Sequence, residues 1–191
     1  SDISGLEGCA ALRELDLLEN QITDISPLAE LVSLQDLNLH KNQITDISAL
    51  AGLVNLEWLA VSSNSIFDLS PLSGLAKLQL LGIDDNPATD LSVLANLTNL
   101  SVLSFAGSDL EHLPPISGLY ELKVLQFSIN SFSDLSALSP LESLEELWAD
   151  SNLITDLTPL VDNPGIGEGD YVNVLWNPID CTEQGANIAE L

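Results

Sequence analysis

The chain of 191 residues sets four Lys and Arg against 29 Asp and Glu, for a formal charge of -25. That balance argues against nucleic acid and anionic membrane as partners, because counterion-driven binding to phosphates needs the opposite sign. Although 46% of the residues are hydrophobic, they fall at fixed intervals, and no uninterrupted run approaches the ~20 residues that cross a bilayer.

Taken in order, the chain opens inside a repeat. Ser1 to Gln21 is a unit lacking only its first residue, Ile22 to Gln43 is the first full unit, and successors open at Ile44, Ile66, Ala88, Leu110, Phe132 and Ile154. A constant period of 22 residues predicts a solenoid in which each unit stacks only on its neighbours. The leucines of the first unit then need a cover, so a cap upstream of Ser1 is expected and the segment reads as part of a larger protein.

Fixed columns run through the units. One apolar column is Leu15, Leu37, Leu59, Leu81, Leu103, Leu125, Leu147 and Val172; a second, two residues on, is Leu17, Leu39, Val61, Ile83, Phe105, Phe127, Ala149 and Val174. A spacing of two aims both side chains at one face of an extended strand and the residue between them at the other. Each unit therefore carries one short strand. Three residues further on stand Asn20, Asn42, Asn64, Asn86, Ser108, Asn130, Asn152 and Asn177. An amide at that bend both donates to and accepts from backbone groups the turn leaves unpaired, so an asparagine ladder is expected, with a looser turn or a water at Ser108.

The pattern L-x-x-L-x-x-L-x-L-x-x-N-x-I-x-D-I-x-P-L resembles the leucine-rich repeat, and Thr23-Asp-Ile-Ser-Pro-Leu28 resembles the 22-residue variety of bacterial internalin-like proteins. The resemblance covers Ser1 to about Leu160. It implies an α/β repeat solenoid, curved, with a parallel β-sheet on the concave side, short 3₁₀ or turn segments on the convex side, and another protein bound in the concavity. A fold by itself names no partner. Residues 1–160 are assigned to the solenoid, and residues 161–191 to a degenerate last repeat and the start of a C-terminal cap.

On the convex side, Ser26-Pro27, Ser70-Pro71 and Thr158-Pro159 predict a hydroxyl N-cap ahead of a proline at the first helical position. Before those turns runs the column Asp2, Asp24, Asp46, Asp68, Asp90, Asp134 and Asp156. It reads as carboxylates accepting free amides at a helix start, with a stacked-carboxylate calcium site as the alternative. His112 breaks the column within Leu110-Glu-His-Leu-Pro-Pro-Ile116, and with Ser108 it predicts a local change in curvature. The histidine itself reads as an ordinary polar substitution, with pH sensing as the alternative.

Cys9 shares a column with Leu31, Leu53 and Leu75, so it is expected to be a small buried apolar residue. Cys181 lies about seven coils away, ~35 Å at ~4.8 Å per strand, far beyond the ~7 Å that a disulfide spans. It stays free or pairs outside the segment. Beyond Leu160 the rhythm breaks, and the convex segment is expected to become the glycine-rich loop Asp162-Asn-Pro-Gly-Ile-Gly-Glu-Gly-Asp170, which lacks the G-x-G-x-x-G of a nucleotide site. A last strand resumes at Tyr171, and a helix is expected from Thr182, with Ile188 and Leu191 turned toward the last coil.

Catalysis finds no footing: His40 and His112 lie in different columns, neither cysteine has a matching histidine, and no histidine pair has zinc spacing. No enzyme activity, cofactor, metal or small-molecule substrate is expected. Positions beside the strand leucines face the concavity and are free of the coil's demands. Trp58, Leu80, Val102 and Val124 make an apolar stripe there, roughly 15 Å long at ~4.8 Å per strand. Trp148, Glu146, Asp84 and Tyr171 extend the candidate partner-binding face, Leu175 and Trp176 carry it toward the C terminus, and Glu14, Asp16 and Glu19 rim one end. Such a patch with aromatic anchors suits a protein partner, although the same residue types also serve sheet packing. The reading is a non-enzymatic protein-binding module whose ligand has a basic and apolar surface, in a bacterial cell-surface or secreted protein outside the cell. The alternatives are a cytoplasmic regulatory scaffold and a structural spacer in a larger surface protein.

Overall fold

A computed structural model describes residues 2–190. Eight short strands, β1 (Glu14–Asp16), β2 (Asp36–Asn38), β3 (Trp58–Ala60), β4 (Leu80–Gly82), β5 (Val102–Ser104), β6 (Val124–Gln126), β7 (Glu146–Trp148) and β8 (Tyr171–Asn173), form one sheet in chain order. All neighbours pair in parallel, Leu15 with Leu37, Leu37 with Leu59 and onward to Leu147 with Val172. Parallel pairing needs a crossover between strands, and each repeat supplies one through its convex segment. Each column of the sequence is thus one line running across the sheet.

The leucines of these lines fill the interior. Leu37, Leu59, Leu81, Leu103, Leu125 and Leu147 are fully buried, whereas Leu15 and Val172, with a strand on one side only among the described residues, are partly so. Three phenylalanines join this leucine core in the fifth to seventh coils. Phe105 and Phe127 stack at 6.0 Å, and Phe132 meets them edge-on at 6.0 and 5.3 Å, the offset and edge geometries that ring quadrupoles favour.

The asparagine ladder forms as the amide chemistry requires. Asn42 Nδ2 donates to Leu39 O of its own coil and Leu17 O of the preceding one, both at 3.0 Å, while its Oδ1 accepts Ile22 N–H at 3.0 Å. Asn64, Asn86, Asn130, Asn152 and Asn177 repeat the arrangement. Ser108 does not: its hydroxyl reaches only Ala106 O, at 3.4 Å, and the following Asp109 turns to a left-handed φ of 55°. The looser turn expected at this break is present.

The convex segments are 3₁₀ turns at Leu6–Gly8, Ser26–Leu28, Ser48–Leu50, Ser70–Gly74, Ser92–Asn96 and Ser136–Leu138, followed by α1 (Thr158–Val161). The expected hydroxyl N-caps do not form. Ser26, Ser70 and Thr158 are the first helical residues, and the N-cap residues Ile25, Leu69 and Leu157 make no side-chain cap bond. The aspartate column takes that part: Asp24 Oδ1 accepts Ser26 N–H at 2.8 Å, Asp68 Oδ1 accepts Ser70 N–H at 2.8 Å, and Asp156 Oδ1 accepts Thr158 N–H at 2.9 Å. Bonding to these amides, and for Asp156 first of all to the Thr158 hydroxyl, holds the carboxyls below their usual range. Where His112 replaces the aspartate, no 3₁₀ turn forms between β5 and β6 among the described residues, although the two strands pair in full.

Three further expectations are revised. Cys9 is exposed, with no coil on its outer side among the described residues, whereas Leu31, Leu53 and Leu75 in the same column are sealed between coils. The glycine-rich segment follows α1 and does not replace the convex turn. It is pinned by buried Asn163, whose Nδ2 donates to Leu138 O and Leu141 O at 2.8 and 3.1 Å. The last helix, α2 (Gly185–Glu190), starts three residues after Thr182, and a hydrogen-bonded turn in which Gln184 N–H donates to Asp180 O at 2.8 Å precedes it. Ile188 on α2 is exposed and not tucked onto the last coil, and Leu191 lies outside the described residues.

Candidate functional site

Register lays out the concave face strand by strand. In the position before the first strand leucine, Glu14 faces Asp36, Asp36 faces Trp58, and the line continues through Leu80, Val102, Val124 and Glu146 to Tyr171. Trp58, Leu80, Val102 and Val124 therefore form an uninterrupted apolar row across β3 to β6. All four are half-buried. Side chains on strands ~4.8 Å apart shield one another's flanks and leave their ends in solvent.

The second concave line reads Asp16, Asn38, Ala60, Gly82, Ser104, Gln126, Trp148 and Asn173. Ala60 and Gly82 are small beside the apolar row. At the C-terminal end, Trp148, Glu146 and Tyr171 come together as one cluster. The Trp148 indole N–H donates to the Glu146 carboxylate, and its ring lies 4.7 Å from that of Tyr171 at 42°. Two shallow depressions flank the row. One, of about 560 Å³, is lined by Glu14, Leu15, Asp16, Asp36, Asn38 and Trp58; the other, of about 330 Å³, by Asp84, Ser104, Ala106, Gln126, Ser128 and Trp148. Leu175 and Trp176 are exposed beyond β8, and Trp176, 83% exposed, stands in the left-handed turn position.

A family model for leucine-rich repeats matches residues 10–52, and no curated protein matches. Among solved structures, internalin C2 (InlC2) of Listeria monocytogenes is 30% identical, over 95% of this chain and 80% of its own, with a TM-score of 0.85. The chain belongs to the internalin family of leucine-rich repeat proteins. The internalin InlF of the same organism is 34% identical over 94% of this chain, with a TM-score of 0.82, and this chain spans 59% of InlF's length. InlJ of Listeria monocytogenes shares the fold, at 24% identity and a TM-score of 0.64, over 91% of this chain and 47% of its own.

In this internalin-family chain, Asp84 does more than rim the face. Asp16 and Asn38 each use Oδ1 to accept the amide two residues on, that of Leu18 at 2.9 Å and of His40 at 3.1 Å. Gly82 has no side chain to do so, and Ser104 turns its hydroxyl to Asp84. The deprived amides find other partners: Asp84 N–H donates to Ser62 Oγ at 3.1 Å, and Ala106 N–H donates to Asp84 Oδ1 at 2.8 Å. Ser62 Oγ–H donates to the other carboxylate oxygen at 2.8 Å. Sequence reasoning passed over Ser62, yet a serine two residues after Ala60, in the coil ahead of a glycine, was the available signal. No helix among the described residues is long and apolar enough to cross a membrane.

Proposed function

We propose that this chain is a non-enzymatic module that binds a protein partner on its concave face, within a bacterial cell-surface or secreted protein. Membership of the internalin family supports a protein-binding repeat, and the row Trp58, Leu80, Val102 and Val124 is the observation that carries the location. The core is filled by inward-facing side chains, so an apolar row on the opposite side of the same strands is not needed to fill it. The setting rests on likeness to internalins of a bacterium.

The test begins with a photo-crosslinking residue at position 102, or at the exposed position of Tyr120 as a control. A partner captured only at position 102 is purified and titrated calorimetrically. Leu80→Glu and Val102→Glu should each weaken binding about 30-fold or more, the scale of ~2 kcal/mol for an interface anchor. Phe67→Glu, at an exposed position beside the convex turns, should leave affinity unchanged. Equal capture at both positions, or equal affinity for Leu80→Glu and wild type, overturns the reading.

A further inference from the structure

We propose that the partner lies on the concave face in one direction, seating a guanidinium or ammonium group over β1 and β2 against the Trp58 indole and running its apolar contact over β3 to β6. This rests on the concave-face reading above and adds the chemistry and polarity of what docks there.

Three carboxylates occupy the first concave line, Glu14, Asp36 and Glu146, and they are not equivalent. Glu146 is engaged by the Trp148 indole N–H. Glu14 and Asp36 face each other directly in the β1–β2 register, an arrangement of like charges that costs sheet stability. Among the described residues neither is in an ion pair, and Arg13, next to Glu14 in the chain, forms none either. Among the described residues the ion pairs are Lys41 with Glu19 and Lys123 with Glu145, while Lys77 Nζ donates to Asn55. The later strands β4, β5 and β6 place Leu80, Val102 and Val124 in this line, so the strand itself does not require acids at Glu14 and Asp36.

Beside this opposed pair stands the Trp58 indole, paired with Asp36 in register, and the depression of about 560 Å³ opens between them. A cation over an indole face, with carboxylates at its edge, gains both the quadrupole attraction and charge-assisted hydrogen bonds. Next along the face the charge stops and the apolar row begins. Beyond it, at β7 and β8, Glu146, Trp148 and Tyr171 are occupied with one another. The face is therefore graded from free carboxylates to apolar to self-satisfied, and a basic group is drawn to one end of it.

The experiment follows the Trp58 indole N–H by NMR, assigned with Trp58→Phe, during titration with N-acetyl-arginine amide and with uncharged N-acetyl-glutamine amide at fixed ionic strength. A saturable shift with the arginine compound alone is expected, with half-saturation at millimolar concentrations, as befits a single exposed cation site. Glu14→Gln combined with Asp36→Asn should weaken it at least fivefold while leaving the melting temperature equal or higher, since a repulsion is removed. Glu30→Gln combined with Glu121→Gln, which removes the same charge from exposed positions off this line, should not. Identical shifts with both compounds, no saturation, or equal weakening by the two double variants overturns the proposal. A crosslinked partner whose affinity falls with Leu80→Glu but not with Glu14→Gln and Asp36→Asn overturns it too, and leaves the concave-face reading standing.

Discussion

Replacing Asn86 with alanine removes one rung of the ladder at a site where the loss is measurable. Its Nδ2 donates to Val61 O at 3.0 Å, Ile83 O at 3.1 Å and Asp84 O at 3.1 Å, and its Oδ1 accepts Ile66 N–H at 3.1 Å. Asn86 is buried, so truncation leaves backbone groups of two adjacent coils unpaired away from solvent. Each such group costs about 1–3 kcal/mol, and water entering the widened turn recovers part of that, so Asn86→Ala should cost about 3–5 kcal/mol. The next position in the column provides the internal reference. Ser108 makes one long contact, at 3.4 Å, and Ser108→Ala should cost less than about 0.5 kcal/mol. Urea unfolding of both variants gives the comparison, with the slope inspected because a solenoid weakened at one coil can unfold in parts. If Asn86→Ala costs no more than Ser108→Ala, the ladder does not hold the coils together as described.

Gly165→Ala should destabilise the C-terminal coil, since an added Cβ would sit 2.1 Å from Glu142 O and neither backbone can yield cheaply; limited proteolysis that leaves the 162–170 loop as resistant as wild type would refute this. The carboxyls of Asp24, Asp68, Asp90, Asp134 and Asp156 lie below their ordinary value of 3.8 in the folded state, so the unfolded chain takes up protons first as pH falls. Their stabilisation is complete above that unfolded value and is lost as pH drops through the folded-state values; thermal melts of wild type and Asp68→Asn that fall in parallel below about pH 4 would contradict it. Lys123→Gln, which removes the exposed pair with Glu145, should shift stability by less than about 1 kcal/mol, and a larger drop by urea unfolding would show the pair to be part of a wider network.

The fold was legible because each of the eight coils poses the same structural problem and most answer it with the same residue types. Leucine at spacing two gives the strand, asparagine at the bend gives the ladder, and aspartate before the convex turn gives the cap. Where the answer changes, local geometry decides. Ser26 and Asp24 are both cap formers two residues apart, and Asp24 takes the role because the helical turn opens at Ser26 itself. Cys9 is exposed although it sits in a buried column, because a column predicts burial only where a coil lies on both sides.

The concave face obeys a different logic, which is why pattern alone identified its row but not its grading. Residues that satisfy the coil are constrained by neighbours in the same chain, and their partners are visible in the structure: Ser62, Asp84 and Ser104 account for one another and for the amides of Asp84 and Ala106. Glu14 and Asp36 face each other in register and are in no ion pair among the described residues. Both groups lie along the concave side, and only their hydrogen bonds separate a carboxylate used by the fold from one left over. If the leftover pair serves nothing outside the chain, then Glu14→Gln with Asp36→Asn is simply a stabilising change, with melting temperature raised and arginine titration unaltered. If it serves a cation, the same substitution raises one and weakens the other, and the two measurements together decide which.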